Sequence, residues 1–463
     1  MFKNYLKVAL RHLKKQKAYA FINISGFAVG MAACILIMLY VLHELNYDRF
    51  HANFDRIHRL GVEGNMNDNF IKYPLSTLGT GPAMLKDFPE VESFTHFKSM
   101  SKIPVRYKEK NFFEDGILYA DEHFFKVFSF PLAQGDPATV LVNDYSIVLT
   151  REMAIKYFGN ENPVGNKLNL NNQHDFTVTG IIDHIPSQSH LKFDFLCSMS
   201  SFYAIRNQEI DEWNNFNYYT YLLLQKNVTP ANLSAKFPAF IDQYLAHFKR
   251  MLGEDFNFFL MPLSDIHLHS NLGYDMPSNS DIVYIYVFSF IAFFILLIAC
   301  INFMNLATAR ASKRAKEVGL RKILGADKRR LVPQFLIESI VYSILSVLIA
   351  LLLVGLATPS FNSLTGIHLS LQFLEIPYML SLLIGFALFT GLLAGSYPAF
   401  ILSSFQPVKI LKGIWSIRSG NSKFRTILVV GQFVISICLI TGTSVMLNQL
   451  SYMKSKKLGF DKE

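Results

Sequence analysis

Cysteine is scarce in this chain: 4 of 463 residues. Cys34, Cys300 and Cys438 sit inside apolar runs, which leaves Cys197 alone in polar surroundings and excludes an intramolecular disulfide there. No Cys/His set has zinc-finger spacing, and no Ser/His/Asp or paired-carboxylate arrangement stands out, so neither a metal site nor a catalytic centre is expected. A nucleotide loop is also missing. Gly159 to Lys167 imitates one, but Asn166 separates Gly165 from Lys167 and no Ser or Thr follows, so amides, lysine and hydroxyl do not converge on phosphates. Charged residues are few, 17%, against 51% hydrophobic and a mean hydropathy of +0.26. That excludes an ordinary soluble protein and fits a membrane protein with a large soluble insert. Acid is absent from residues 1–17, which carry Lys3, Lys7, Arg11, Lys14, Lys15 and Lys17. The formal charge of +9 is concentrated in short segments flanking apolar runs. This pattern sets membrane orientation and argues against nucleic acid as a partner.

What is present follows from the apolar runs. Leu6, Leu10 and Leu13 form a stripe in residues 1–17, predicting an amphipathic helix on the cytoplasmic surface. A first span is expected at 18–42. Ala32-Ala33-Cys34 imitates a lipoprotein cleavage box, yet the apolar run continues through Leu42, so an uncleaved anchor is expected.

Residues 43–281 contain no membrane-length run and form an insert of about 240 residues, large enough for its own core. Its pattern is α+β. Strands are predicted at Ser146–Thr150, Phe176–Ile182 and Tyr218–Leu224. Helices are predicted at Arg151–Phe158, ended by Gly159, and from Pro230 to about Met251. His267 and His269 alternate as on a strand and would face one side, which permits a metal pair but offers no third ligand. A structural role is favoured for them, as for His184 and His190.

Further spans are expected within 282–402, at about 282–307, 334–357 and 379–402, with an outer loop from Pro359 to Pro377. Asn302 and Asn305 sit near one end of the second span. Gly385, Gly391 and Gly395 would let neighbouring helices approach. A basic linker at 403–425 precedes a fifth span at 426–447, and residues 448–463 end outside. The fifth span aligns without gaps on the first: Gly26 with Gly431, Val29 with Val434, Ile35 with Ile440, Leu42 with Leu447, Tyr47 with Tyr452. The second copy has only its first helix here, so a partial product or an unusual short form is expected.

The connector at 308–333 joins two spans and is strongly basic, which puts it in the cytoplasm and the insert outside. Ala311, Ala315 and Val318 share a helical face, and Leu320, Ile323 and Leu324 repeat the spacing half a turn on. Gly325 is placed to stop the helix and Asp327 to cap the next, whose start Pro333 would bend. The bland reading is that these cations only fix topology. The apolar spacing and the Gly325-Ala326 break favour docking to a soluble partner.

The run Glu317-Val318-Gly319-Leu320-Arg321-Lys322-Ile323-Leu324-Gly325-Ala326, followed by Phe335-Leu336-Ile337-Glu338, resembles the signature of MacB/FtsX/LolC-type ABC permeases. In the insert, Tyr119 to Phe125, Gly135-Asp136-Pro137, Ala154 to Gly159, Asn162 to Gly165 and Val178 to Ile181 resemble the MacB-like periplasmic core domain in order. The resemblance implies a multi-pass inner-membrane permease of about five transmembrane helices, with a large α+β periplasmic domain between the first and second. Its partner would be a separate ABC ATP-binding subunit docking on Glu317, Val318, Gly319, Arg321, Lys322, Gly325 and Ala326, with Glu317 and Arg321 making polar contacts. A second permease copy and a periplasmic adaptor are further partners it allows. No cofactor is implied. The permease would transmit motion rather than carry substrate through a pore, acting on antimicrobial peptides, macrolide-like drugs or lipoproteins. A membrane-anchored sensor or scaffold is the alternative, and a neighbouring ATPase gene would separate the two. An outer-facing hydrolase is disfavoured by the missing catalytic set.

Overall fold

The computed structural model describes residues 2–66, 69–206, 213–252, 256–276, 279–309, 318–324, 327–367, 369, 379–404 and 421–455. They form two compact units, one of Met1–Leu42 with Ile285–Glu463, the other of His43–Tyr284.

Among the described residues, five helices are long and apolar enough to cross a membrane: Lys17–Leu45, Ile282–Ala309, Arg329–Thr365, Met379–Ser403 and Arg425–Met453. The first four pack through Phe27, Met31, Ala299, Phe303, Tyr342, Ala350, Ala387 and Ala394. Small residues set how closely they approach. A Cβ on Gly30 would lie 2.7 Å from the Ala299 Cβ, and one on Gly391 would lie 2.8 Å from the Ile340 Cα. At Gly395 it would lie 2.6 Å from the Ser339 Oγ. Gly385, expected to serve in the same way, faces open space. The Ser343 hydroxyl ties the third and fourth spans together, 2.8 Å from the Ala387 carbonyl and from the Thr390 Oγ1. Asn302 lies against the first span, its Nδ2 3.3 Å from where a Gly26 Cβ would stand.

The third span runs on past Pro359 to Thr365, where a loop was expected. The Pro359 ring removes one ladder donor. Hydroxyls bond back onto the helix on either side of it: Thr358 donates to the Val354 carbonyl at 2.7 Å and Thr365 to the Phe361 carbonyl at 2.9 Å. Gly366, at φ +70°, ends the helix.

The His43–Tyr284 unit is built on one mixed sheet. Its path runs Asn257–Pro262, Ile57–Met66, Tyr219–Leu224, Val91–Met100, Ile117–Ala120, Phe195–Ser198, Ser146–Thr150, His174–Ile182, Lys167–Leu170, Ile103–Tyr107, Lys110–Glu114. Ser146–Thr150 pairs parallel with His174–Ile182, and Ile117–Ala120 pairs parallel with Phe195–Ser198. The Arg151–Phe158 helix is capped by the Thr150 hydroxyl, which accepts from the Met153 amide. Gly159 and Gly165, at φ +63° and +88°, shape the turns that imitate a nucleotide loop.

Two expectations for this unit are corrected. Residues 230–251 form three helices, Pro230–Ser234, Phe237–Tyr244 and Ala246–Leu252, rather than one. Pro238 is tolerated only in a first turn, so the chain restarts there. His267 and His269 lie on the helix Leu263–His269, not on a strand. Two residues apart on a helix they diverge, so no pair forms. His267 is buried and bonds Glu44 at 3.0 Å, stacking on Tyr47, whereas His269 is exposed.

Candidate functional site

Of the connector residues, Glu317, Gly325 and Ala326 lie outside the described residues, as do Ala311 and Ala315. Residues 318–323 form a helix. Val318, only 3% exposed, packs with Leu331, Phe335, Ala399 and Leu402, at the ends of the helices Lys328–Thr365 and Met379–Ser404. Gly319 is buried beside it. The Arg321 guanidinium donates to the Gln334 Oε1 at 2.8 Å. The Lys322 ammonium donates to the Ser403 carbonyl at 2.7 Å, one of the last carbonyls of its helix, which have no partner along the ladder. Pro333 lies within the helix Lys328–Thr365, which begins directly after Asp327.

The inner side of the connector is thus fastened by one apolar residue and two cations. The outer side is apolar: Leu320, Ile323 and Leu324 are 60%, 54% and 78% exposed. They stand at i, i+3 and i+4, one face of a helix. Their period was legible in the sequence. That Arg321 and Lys322 turn inward was not, because Gln334 and Ser403 are distant partners that no local spacing announces.

Several buried titratable groups of the His43–Tyr284 unit pair with one another or with nearby hydroxyls and amides. Asp48 sits 2.9 Å from His190, whose other ring nitrogen is 2.8 Å from the Tyr221 hydroxyl. Burial alone would raise the Asp48 carboxyl, but the electrostatic interaction and hydrogen bonds with His190 outweigh it and hold the group low. Asp121 accepts from the His96 backbone amide at 2.6 Å and the His123 amide at 2.9 Å. The His96 Nε2 is 2.6 Å from the Tyr203 hydroxyl. Fully buried Arg59 is paired to Asp275 at 2.6 Å and Ser270 at 2.7 Å. His184 is exposed beside Asp183. Among the described residues, no three His, Cys, Asp or Glu side chains are arranged to hold a metal ion. These pairs knit strands and loops together, since a buried polar group is costly unless bonded.

Residues 20–240 match the family model of a MacB-like periplasmic core domain, and residues 289–407 match that of the FtsX-like permease C-terminal region. The macrolide export ATP-binding/permease protein MacB of Bdellovibrio bacteriovorus is 35% identical over 118 residues, 25% of this chain and 17% of that protein. Its Wolinella succinogenes counterpart is 35% identical over 124 residues, with the same shares. The chain therefore spans about a sixth of the length of the curated relatives it matches. The crystal structure of the periplasmic region of MacB from Actinobacillus actinomycetemcomitans aligns at 17% identity and a TM-score of 0.32, covering 46% of this chain and 91% of that one.

Proposed function

Because this chain belongs to the MacB/FtsX-like ABC permeases, we propose that its connector receives force from a separate ATP-hydrolysing subunit and passes it to the large periplasmic-type domain. One observation carries the reading. Leu320, Ile323 and Leu324 present an apolar face while Val318, Arg321 and Lys322 fasten the same short helix to two membrane helices. A partner that covers the exposed part of those three side chains gains about 1–2 kcal/mol for each. Whatever pushes the connector then pushes the ends of the helices Lys328–Thr365 and Met379–Ser404. Glu317, Gly325 and Ala326 belong to the proposed docking segment. In this reading the connector is cytoplasmic, the N-terminus with it, and the His43–Tyr284 unit lies across the membrane. The chain hydrolyses nothing itself. The work is export or extraction of amphipathic compounds, with macrolide-like drugs, peptides and lipoproteins as the substrate classes to try first.

The test is co-purification with a co-expressed ABC ATP-binding subunit. The double substitution Leu320→Asp, Leu324→Asp is expected to cut recovery of the ATPase at least tenfold with the melting temperature unchanged, since both residues are exposed. Undiminished recovery would remove the docking face from consideration.

A further inference from the structure

The helix Phe2–Lys15 contains no acidic residue and carries Lys3, Lys7, Arg11, Lys14 and Lys15. The sequence predicts a stripe of Leu6, Leu10 and Leu13 towards the membrane; in the structure Leu13 packs against protein and Leu10 stays exposed. Ala9 is buried, Leu13 packs against the core of the membrane helices, and the helix lies against Lys328–Thr365. The apolar side is thus committed to protein. The opposite side is exposed and holds Lys3, Lys7, Leu10, Arg11 and Lys14, at spacings of three and four that form one stripe. Leu10, 47% exposed, stands within it, flanked by Lys7, Arg11 and Lys14.

We propose that this stripe binds the headgroups of anionic phospholipids. Charge complementarity selects the occupant. Four cations along about 17 Å of helix, with no carboxylate among them, match a row of phosphodiesters at the surface of the adjoining leaflet. Leu10 suits a lipid better than a soluble polyanion, because an apolar side chain between cations gains only where acyl chain or glycerol lies beneath the phosphates. Each cation near an anionic surface is worth about fivefold in partition at ordinary salt. Because the apolar side is already used, the grip is almost wholly electrostatic, and it weakens as salt shortens the screening length.

The experiment is native mass spectrometry of the full chain in detergent with equal amounts of phosphatidylglycerol and phosphatidylcholine. The wild type is expected to retain phosphatidylglycerol at least tenfold over phosphatidylcholine, with the preference falling as salt rises. The variant Lys3→Gln, Lys7→Gln, Arg11→Gln, Lys14→Gln should lose that preference at least tenfold, while Lys3→Arg, Lys7→Arg, Lys14→Arg keeps it. If the fourfold Gln variant fails to fold, Lys7→Gln and Arg11→Gln singly should each lower the preference about fivefold. Equal retention of the two lipids by the wild type would overturn the proposal. So would an undiminished preference in the Gln variants, or displacement of the lipid by millimolar inorganic phosphate, which marks a general anion patch. These readouts need no ATPase, so they stand or fall apart from the docking model.

Discussion

At the scale of single residues, burial sets the protonation of Asp121, His51 and His96. Burial raises the Asp121 carboxyl to about 7, despite hydrogen bonds from the His96 and His123 amides and from Thr95 that favour its charged form. The folded unit therefore holds a proton that the unfolded chain releases above the ordinary carboxylate range. That contribution is full at low pH and is lost as pH rises towards 7. Burial acts oppositely on His51 and His96, lowering both to about 3. Their folded forms refuse protons that unfolded imidazoles accept below about 6.5. That contribution is full above this value and is lost as pH falls towards 3. From about pH 4 to 6.5 two histidines oppose one acid, so these three groups make stability rise by about 1.4 kcal/mol per pH unit. Asp121→Asn removes the opposing group and should steepen the slope by about 1.4 kcal/mol per pH unit. Urea unfolding at several pH values measures it, and an unaltered slope would show that Asp121 is not protonated in the folded unit.

At the scale of elements, the third and fourth spans show how glycine acts by position. A Cβ at Gly391 meets backbone at Ile340, which can retreat only if the whole helix moves. At Gly385 it meets nothing. Gly391→Leu should therefore separate the pair and lower the melting temperature in detergent by several degrees, whereas Gly385→Leu should leave it within about one degree. Equal effects would mean that these helices are not packed through Gly391. In the sequence the two glycines look alike, because a small residue in an apolar run has no visible side until the neighbouring helix is placed. The connector has the same character. Its helical period was visible, but which face was fastened depended on Phe335, Ala399 and Leu402, the last some 80 positions away.

At the scale of the molecule, the two units draw on separate cores. Three apolar clusters lie within the His43–Tyr284 unit, centred on residues such as Phe124, Phe176 and Phe237. Residues 43–284 expressed alone should thus fold and melt cooperatively by circular dichroism at 222 nm with the native mixed α/β spectrum. A gradual, non-cooperative melt would show that the membrane unit supplies part of its stability. Five apolar segments, the basic connector between two of them and the α+β insert were determined by the sequence itself. Hydropathy, charge bias and residue period are local properties, and a run of twenty apolar residues means the same wherever the chain goes next. The tertiary structure alone decided that Ala9 and Leu13 of Phe2–Lys15 face protein while Leu10 stays exposed, that Arg321 and Lys322 point inward, and that His267 meets Glu44 across 223 residues of chain. Such pairings depend on which distant surface is brought near, and composition carries no record of that distance.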